Sequence, residues 1–389
     1  MDVSRGRLFG TLCSMVLLVN LARVIFAPLL QEFIAVFSIG EGTAGLIATL
    51  AWLGSAALRL PTGWVLTRVS RHRVILATGG ILTGASAFIA GATSIAMVGA
   101  GALLMGLSSG TYFVAANPLV SELYPDRVGW AMGVHGMSAQ LAAVAAAPFV
   151  TLILTLFAEW RVVFVCISAV TAVATLALYV AARSADLPDA GRGDTDLLGA
   201  VRSEWRIALV GVVLVGTTGF VWQGLFNFYE LYLATKGLAP ATARNLLTLI
   251  FAAGVPAFFV SGRLADRLPR VPYLLAIVGS FAGCLLLLTL TRGFVGVLAV
   301  TAVTGYVIHS LFPAIDTYLL DALPDDSRAS AYAWYAAGMM TVQATGSSAV
   351  GALREAGFGY DLVFTRLAFG LAVVVAGLAV LQHRGRLPQ

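Results

Sequence analysis

Arg23 lies fifteen residues into a long apolar stretch, where a permanent positive charge is hard to stabilise. An arginine at the centre of a membrane span costs roughly 3 kcal/mol. The first half of the chain offers no Asp or Glu in the interior of its apolar stretches. We therefore expect Arg23 to face a cavity and to bind an anionic substrate. The structural alternative is an arginine bonded to backbone carbonyls or to Glu230 in the other half.

A second group of candidate residues lies in the segment GFVWQGLFNFYELYL. Trp222, Gln223, Phe226 and Asn227 combine aromatic surface with hydrogen-bonding amides, as a small-molecule site requires. An aromatic belt at the outer membrane surface is the alternative, and it suits the tyrosines of this segment better. Because an amide that faces lipid would be unsatisfied, we predict that the four residues bind substrate.

The third group could carry protons. His309 and Asp316 lie in the apolar segment GYVIHSLFPAIDTYLLD, and Glu230 lies near the end of the segment above. A histidine titrates near physiological pH, and a carboxyl group within a span marks a functional site by default. We predict proton coupling by these three, with Tyr306, His309 and Gln140 completing the substrate site. Ordinary hydrogen bonds between helices are the alternative for the histidine.

The composition indicates which environment the chain occupies. Of its 389 residues 59% are hydrophobic and only 11% are charged. A soluble domain carries about 25% charged residues, so this surface must face lipid. The net charge of +5 comes from arginines in short loops rather than from a stripe, which argues against nucleic acid. No phosphate loop, nucleophile elbow or metal spacing is present. We expect no enzyme activity, cofactor or metal.

Apolar stretches of about 20 residues, the length that crosses a bilayer, recur along the chain. They predict an all-α membrane protein with twelve transmembrane helices in two six-helix bundles, 1–182 and 207–389, joined by a polar linker at 183–206. The predicted spans are 8–31, 43–65, 74–93, 96–121, 129–157, 161–182, 207–233, 240–261, 271–291, 294–320, 329–353 and 362–382.

The loop charges predict the orientation. With a cytoplasmic amino terminus, sixteen Arg or Lys residues lie on the cytoplasmic side and six on the other. Since cytoplasmic loops carry the excess of basic residues, we expect a multi-pass cell-membrane protein with both termini and the linker inside.

The two halves also match each other at a constant offset of 199 residues. One coincidence would be weak evidence, but seven at one offset indicate duplication of a six-helix unit. The pairs are Gly63 with Gly262, Arg68 with Arg267, Arg71 with Arg270, Asn117 with Asp316, Glu122 with Asp321, Pro125 with Pro324, and Asp126 with Asp325.

The repeated loops carry a resemblance to the major facilitator superfamily that covers the whole chain. SGRLADRLPR keeps the glycine, acid and arginines of that family's cytoplasmic motif, whereas TGWVLTRVSRHR has Thr67 in place of the acid. The loops SELYPDR and DALPDDSR resemble the acidic-then-Arg segments that follow. The resemblance implies two bundles with substrate bound between them near the midplane, and a charge network that holds the cytoplasmic side shut.

The predicted gating residues follow from these loops. Arg68 and Arg267 end helices, where Glu122 or Asp321 could meet them in one state and release them in the other. Anchoring by positive loop charges is the alternative. The full predicted set is Gly63, Arg68, Glu122, Arg127, Gly262, Asp266, Arg267, Asp321 and Arg328.

Together these patterns predict a secondary transporter that moves a small organic anion by alternating access, coupled to protons. The alternatives are a drug or metabolite exporter of the same fold, and a membrane sensor that binds a ligand without moving it. The expected partners are the substrate, protons or another coupling ion, and membrane lipids. We expect a monomer.

Overall fold

The computed structural model describes residues 3–184, 197–265, 267–323, 328–385 and 387. Throughout this part of the chain the elements are helices, and no strand is present. The chain divides into two compact units: Met1–Ile39 with Leu46–Asp194 form the first, and Gly40–Gly45 with Thr195–Gln389 form the second.

The helices follow from long apolar stretches, which satisfy their own backbone hydrogen bonds. The helices before the linker are α1 (Val3–Val24), α2 (Leu30–Phe37), α3 (Glu41–Ala57), α4 (Arg59–Leu66), α5 (Arg71–Ala90), α6 (Ile95–Leu123), α7 (Val128–Phe157) and α8 (Arg161–Arg183). Those after it are α9 (Leu197–Gly211), α10 (Thr217–Asn227), α11 (Tyr229–Thr235), α12 (Pro240–Ala265), α13 (Arg270–Leu290), α14 (Phe294–Ala322), α15 (Arg328–Ala344), α16 (Gly346–Glu355) and α17 (Tyr360–His383). A π-helical stretch, Val212–Gly216, joins α9 to α10.

Eleven helices within the described residues are long and apolar enough to cross a membrane. They correspond to eleven of the twelve predicted spans. The remaining prediction, 329–353, falls on α15 and α16, which are interrupted at Thr345. Neither piece alone reaches the length of a membrane span, although together they run from 328 to 355.

Helix interruptions recur at equivalent places in the two halves. α1 ends at Val24, and a turn leads into the 3₁₀ helix Ala27–Leu29. In the second half α10 ends at Asn227, which lies one repeat length after Pro28 of that 3₁₀ helix, and α11 begins after Phe228. Arg23 therefore lies in the last turn of α1 rather than in the middle of a continuous helix, and there the partial negative charge of the helix end favours it.

Glycines at the repeat offset bring helices together in both units. A Cβ on Gly106 of α6 would lie 2.1 Å from the carbonyl oxygen of Ala51 on α3. Its counterpart Gly305 on α14 would lie 2.4 Å from the carbonyl oxygen of Ile250 on α12. Gly305 lies 199 residues after Gly106, and Ile250 lies 199 residues after Ala51, so the duplication seen in the sequence is a repeated helix crossing in the structure.

Candidate functional site

The first candidate site surrounds Arg23. Its guanidinium carbon lies 4.6 Å from the ring centroid of Trp52 and 5.0 Å from that of Phe113. Its Nη2 donates a hydrogen bond of 2.5 Å to Asn20 Oδ1, and the Asn20 amide donates to the carbonyl oxygen of Ala139 on α7. Helices α1, α3, α6 and α7 thus hold the guanidinium between two aromatic rings, an arrangement in which cation–π attraction stabilises the charge.

Hydrogen-bond donors in this cluster are left without acceptors. Among the described residues, the buried Nε of Arg23 and Nε1 of Trp52 have no hydrogen-bond partner. Arg23 forms no ion pair with any described carboxylate. Arg59 lies close enough to repel it electrostatically. A buried donor without an acceptor costs about 1–3 kcal/mol, so the cluster is chemically suited to an anion that supplies acceptor oxygens.

Glu230, the suggested partner of Arg23 and a predicted proton carrier, pairs within the second unit. It accepts hydrogen bonds of 3.0 and 2.8 Å from Nε and Nη2 of Arg244. The two side chains are only 2% and 6% exposed. This bidentate geometry stabilises the ionised carboxylate, which favours a structural ion pair over proton transfer. Arg244 was not among the predicted site residues, because it was counted with the six basic residues on the non-cytoplasmic side.

The second candidate site is an aromatic cluster. Trp222 stacks on Phe226 with ring centroids 5.7 Å apart, and Phe251 meets both rings edge-on. His309 lies 5.9 Å from Trp222 and 5.3 Å from Phe251, measured between ring centroids. The structure therefore brings three predicted substrate residues together, and adds Phe251, which the sequence analysis did not single out.

The protonation of His309 is constrained by its backbone contact. Its Nδ1 lies 2.7 Å from the carbonyl oxygen of Gly305. A carbonyl oxygen only accepts, so Nδ1 carries the proton and Nε2 is the acceptor in the neutral ring. Gly254 makes room for this ring, because a Cβ there would lie 2.6 Å from the imidazole.

The amides of α10 form a separate polar group. The Nδ2 amide of Asn227 donates to the backbone carbonyl oxygen and to the side-chain Oε1 of Gln223. It also donates to the hydroxyl of Ser347, and the three distances are 2.9–3.0 Å. Within the described structure, Gln223 Nε2 and Asn227 Oδ1 are buried and unpartnered. The pair thus retains one free donor and one free acceptor, which a polar ligand could use.

The two candidate sites occupy equivalent positions of the repeat. At the offset of 199 residues, Arg23 corresponds to Trp222, Trp52 to Phe251, and Phe113 to Phe312. Phe312 lies 6.2 Å from His309 between ring centroids, so it belongs to the same aromatic cluster. The duplicated unit therefore places an aromatic cluster at the same point twice, and only the first copy carries a cation in it.

The remaining predicted substrate and proton residues are distributed around these clusters. Asp316 on α14 accepts a hydrogen bond of 2.8 Å from the hydroxyl of Tyr332 on α15. Tyr306 is half-buried on α14, where its carbonyl oxygen accepts from Ser310. Gln140 is half-buried on α7, next to the residue that anchors Asn20.

The proposed charge network of the first repeated loop is arranged differently from our expectation. Glu122 pairs with Arg71 and not with Arg68. The guanidinium of Arg68 lies instead 3.7 Å from the ring centroid of Trp64. In this structure Arg68 therefore lies against the ring of Trp64, in the last turn of α4, and the Arg68–Glu122 contact stays a prediction.

The other predicted gating residues that the structure describes are Arg127, Arg267, Gly63 and Gly262. Arg127 and Arg267 are exposed. A Cβ on Gly63 or Gly262 would meet no atom within 4 Å, so the structure does not explain these glycines by close packing. Asp266 lies outside the described residues, as do the side chains of Asp321 and Arg328.

Comparison with known proteins gives the family. A family model described as Major Facilitator Superfamily matches residues 12–301 and 212–386. No curated protein sequence matches the chain.

Solved transporter structures share the fold. A bacterial homologue of the lysosomal transporter Spinster is 16% identical with a TM-score of 0.74, the match covering 98% of this chain and 96% of that one. A POT family transporter in complex with 5-aminolevulinic acid is 12% identical with a TM-score of 0.78, covering 97% and 96%. The nucleoside transporter NupG is 13% identical with a TM-score of 0.79, covering 95% and 99%. At these identities the likeness shows the fold.

The Glu230–Arg244 pair generates a prediction that separates a structural role from proton transfer. Arg244→Met leaves a buried carboxylate uncompensated, and we expect it to destabilise the protein by about 3–5 kcal/mol. Glu230→Leu combined with Arg244→Met removes both charges, and we expect most of that stability to return. Thermal unfolding of the purified variants measures both effects.

Transport by the double variant supplies the control. If the pair is structural, the double variant should respond to an imposed pH gradient as the wild type does. A stable double variant that has lost this response would instead identify Glu230 as a proton carrier.

Proposed function

This chain belongs to the major facilitator superfamily, a family of transporters rather than enzymes, and from that premise we propose that it carries a small organic anion. Transport proceeds by alternating access and is coupled to protons. The multi-pass membrane architecture is that of the family, whereas the substrate and the coupling follow from the chemistry of the candidate sites.

The arrangement around Arg23 is the observation that carries the proposal. A permanent cation is enclosed by two aromatic rings, its one side-chain hydrogen bond is to a neutral amide, and its Nε is unpartnered within the described residues. Charge-assisted hydrogen bonds contribute about 1.5–3 kcal/mol each. A carboxylate, phosphate or sulfonate that accepts from Arg23 Nε and Trp52 Nε1 would satisfy both buried donors.

The organic part of the substrate is argued from the aromatic surface that each unit carries on its own. The rings of Trp52 and Phe113 offer apolar contact beside the charge. The aromatic cluster of Trp222, Phe226 and His309 offers the same at the repeat-equivalent position. The free amide groups of Gln223 and Asn227 add polar contacts. An inorganic anion would leave this apolar surface unused.

Proton coupling is assigned to Asp316, with His309 as the second candidate. Asp316 lies at the end of a membrane-spanning segment, and among the described residues its hydrogen-bond donor is the neutral phenol of Tyr332 rather than a cation. A carboxyl group without a fixed positive partner can alternate between its neutral and ionised forms, as a carrier must. His309 has a neutral tautomer fixed by Gly305 and is surrounded by rings, which makes it suited to substrate contact as well.

Orientation and gating complete the proposal. The excess of arginines on one side places both termini in the cytoplasm, with the cell membrane as the site of action. The repeated loops with Arg71, Glu122 and Arg267 form the cytoplasmic gate. In the first loop the Arg71–Glu122 pair supplies the contact that we had assigned to Arg68.

One alternative function has its own support. The cluster of Trp222, Phe226, Phe251, Phe258 and Phe312 around His309 is suited to apolar and cationic amphiphiles, which an exporter of drugs or metabolites would carry. Such an exporter would not depend on the charge of Arg23. A ligand sensor would bind without flux.

Arg23→Gln tests the anion proposal. Proteoliposomes take up small carboxylates, 5-aminolevulinic acid, phosphates and sulfonates with and without an imposed pH gradient. We expect gradient-driven uptake of at least one anion by the wild type and a loss of at least tenfold in Arg23→Gln, since one charge-assisted bond contributes that much. Arg73→Gln, an exposed arginine at the start of α5, is the matched control and should retain uptake.

Uptake of anions that is indifferent to Arg23 contradicts the assignment of the site. Transport of cationic or neutral amphiphiles alone supports the exporter, and saturable binding with no flux of any compound supports the sensor.

Asp316→Asn tests the coupling. The amide keeps an acceptor for Tyr332 but cannot bind and release a proton. We expect accumulation driven by a pH gradient to disappear while exchange of labelled for unlabelled substrate continues, because exchange requires no net proton movement. Tyr332→Phe is the control for the hydrogen bond. Unchanged accumulation by Asp316→Asn would transfer the coupling role to His309.

A further inference from the structure

A groove runs along the outside of the first unit between α1 and α8. It has a volume of about 810 Å³. Gly10 and Ser14 line it from α1, and Val173, Leu176 and Val180 line it from α8. None of these residues belongs to the two candidate sites described above.

The body of the groove is apolar. Val173, Leu176 and Val180 are 68%, 63% and 57% exposed, which is far more than a well-packed helix pair would leave. Gly10 widens the groove, because a Cβ there would meet no atom within 4 Å. A concave apolar surface on a membrane helix pair has the shape and chemistry of a site for an acyl chain.

The hydroxyl groups in the groove are satisfied by their own helices. Thr11 donates to the carbonyl oxygen of Leu8, and Ser14 to that of Gly10. Ser184 donates to the carbonyl oxygen of Val180. These groups need no polar ligand, so the groove walls accept hydrocarbon along their length.

One end of the groove is basic. Arg7 lines it opposite Ser184, and the exposed Arg5 lies half a turn away at the start of α1. Arg183 is the last residue of α8, with its guanidinium 4.9 Å from the ring centroid of Tyr179. Because α1 begins where α8 ends, Arg7 and Arg183 lie at the same end of the groove, and Arg5 adds a third positive charge on the other face of α1.

We propose that this groove is a binding site for one anionic phospholipid. An acyl chain lies along Gly10, Leu176 and Val180, and the headgroup phosphate is bound at Arg7, with Arg5 and Arg183 adding to the attraction. The arginine-rich end is cytoplasmic by the distribution of loop charges, and the cytoplasmic leaflet is the one that carries anionic lipid. Charge complementarity and the apolar body together favour a lipid over a peptide or a free anion.

Native mass spectrometry of the purified full chain tests the site. The probes are dioleoyl phosphatidylglycerol, the zwitterionic dioleoyl phosphatidylcholine, and inorganic phosphate. We expect one phosphatidylglycerol to bind with preference over phosphatidylcholine, and its affinity to fall about fivefold in Arg7→Gln, the effect of one basic residue at an anionic surface. Arg73→Gln is the control for a cytoplasmic arginine elsewhere on the first unit.

Gly10→Phe tests the apolar body independently of charge. A Cβ at Gly10 meets no atom within 4 Å, so the ring projects into the groove, and we expect the bound phosphatidylglycerol to be lost while the thermal unfolding temperature is unchanged. Gly84→Phe on α5 is the matched control, since a Cβ at Gly84 also meets nothing.

Three results would overturn the proposal. They are equal retention of the two lipids, equal lipid affinity of the Gly10→Phe and Gly84→Phe variants, and binding of inorganic phosphate as tight as that of the lipid. The last result would indicate a site for a free anion only.

Discussion

A bilayer provides no water to satisfy a polar group, so every charge and hydrogen-bond donor within its core has to find a partner in the protein. Most of this chain obeys that constraint locally. Serines and threonines within the helices donate to carbonyl oxygens three or four residues earlier, as Thr78, Ser86 and Thr301 do. The buried carboxylate of Glu230 is bonded twice by Arg244. The unpartnered donors around Arg23 are one exception among the described residues, and the proposed anion would complete them.

The internal duplication explains how such an exception can be built. Both units use a glycine on one helix to approach the backbone of another, at Gly106 and at Gly305. One helical turn further along, the glycine lies on opposite helices of the two contacts. In the first unit Gly110 contacts Ser55, whereas in the second unit His309 contacts Gly254. The crossing is preserved because a large side chain in one helix is compensated by a glycine in its partner. The same scaffold thus holds a cation in one copy and an imidazole in the other.

The sequence was sufficient for the features that depend on composition and spacing. The apolar stretches predicted the helices, and the family resemblance and the membrane-spanning fold are confirmed. The interruption at Thr345 was not predicted, because residues 329–353 are apolar enough to resemble one continuous span. The repeat offset also relates the two aromatic clusters. Phe251 and Phe312 lie 199 residues after Trp52 and Phe113, so the sequence alone shows that aromatic residues recur at these two positions of the repeat.

Side-chain pairing could not be predicted from the sequence, because it depends on how each helix is rotated about its axis and how far it is shifted along it. Arg68 and Arg71 are three residues apart, and nothing in their spacing decides which of them meets Glu122. Arg244 was counted with the basic residues on the non-cytoplasmic side although it lies within the predicted span 240–261, and its side chain is buried against Glu230. Such errors of about one helical turn leave the architecture intact and change which charges are free.

The claim that Arg23 is the anion receptor is tested most directly by equilibrium binding. Titration calorimetry compares each carboxylate of the uptake panel with its neutral amide analogue, for the wild type and for Arg23→Gln in the same detergent. The account predicts that the wild type binds at least one carboxylate at least tenfold more tightly than its amide, and that Arg23→Gln loses this preference while keeping its unfolding temperature. A charge preference that survives the substitution, or a wild type that prefers none of the carboxylates, would contradict it.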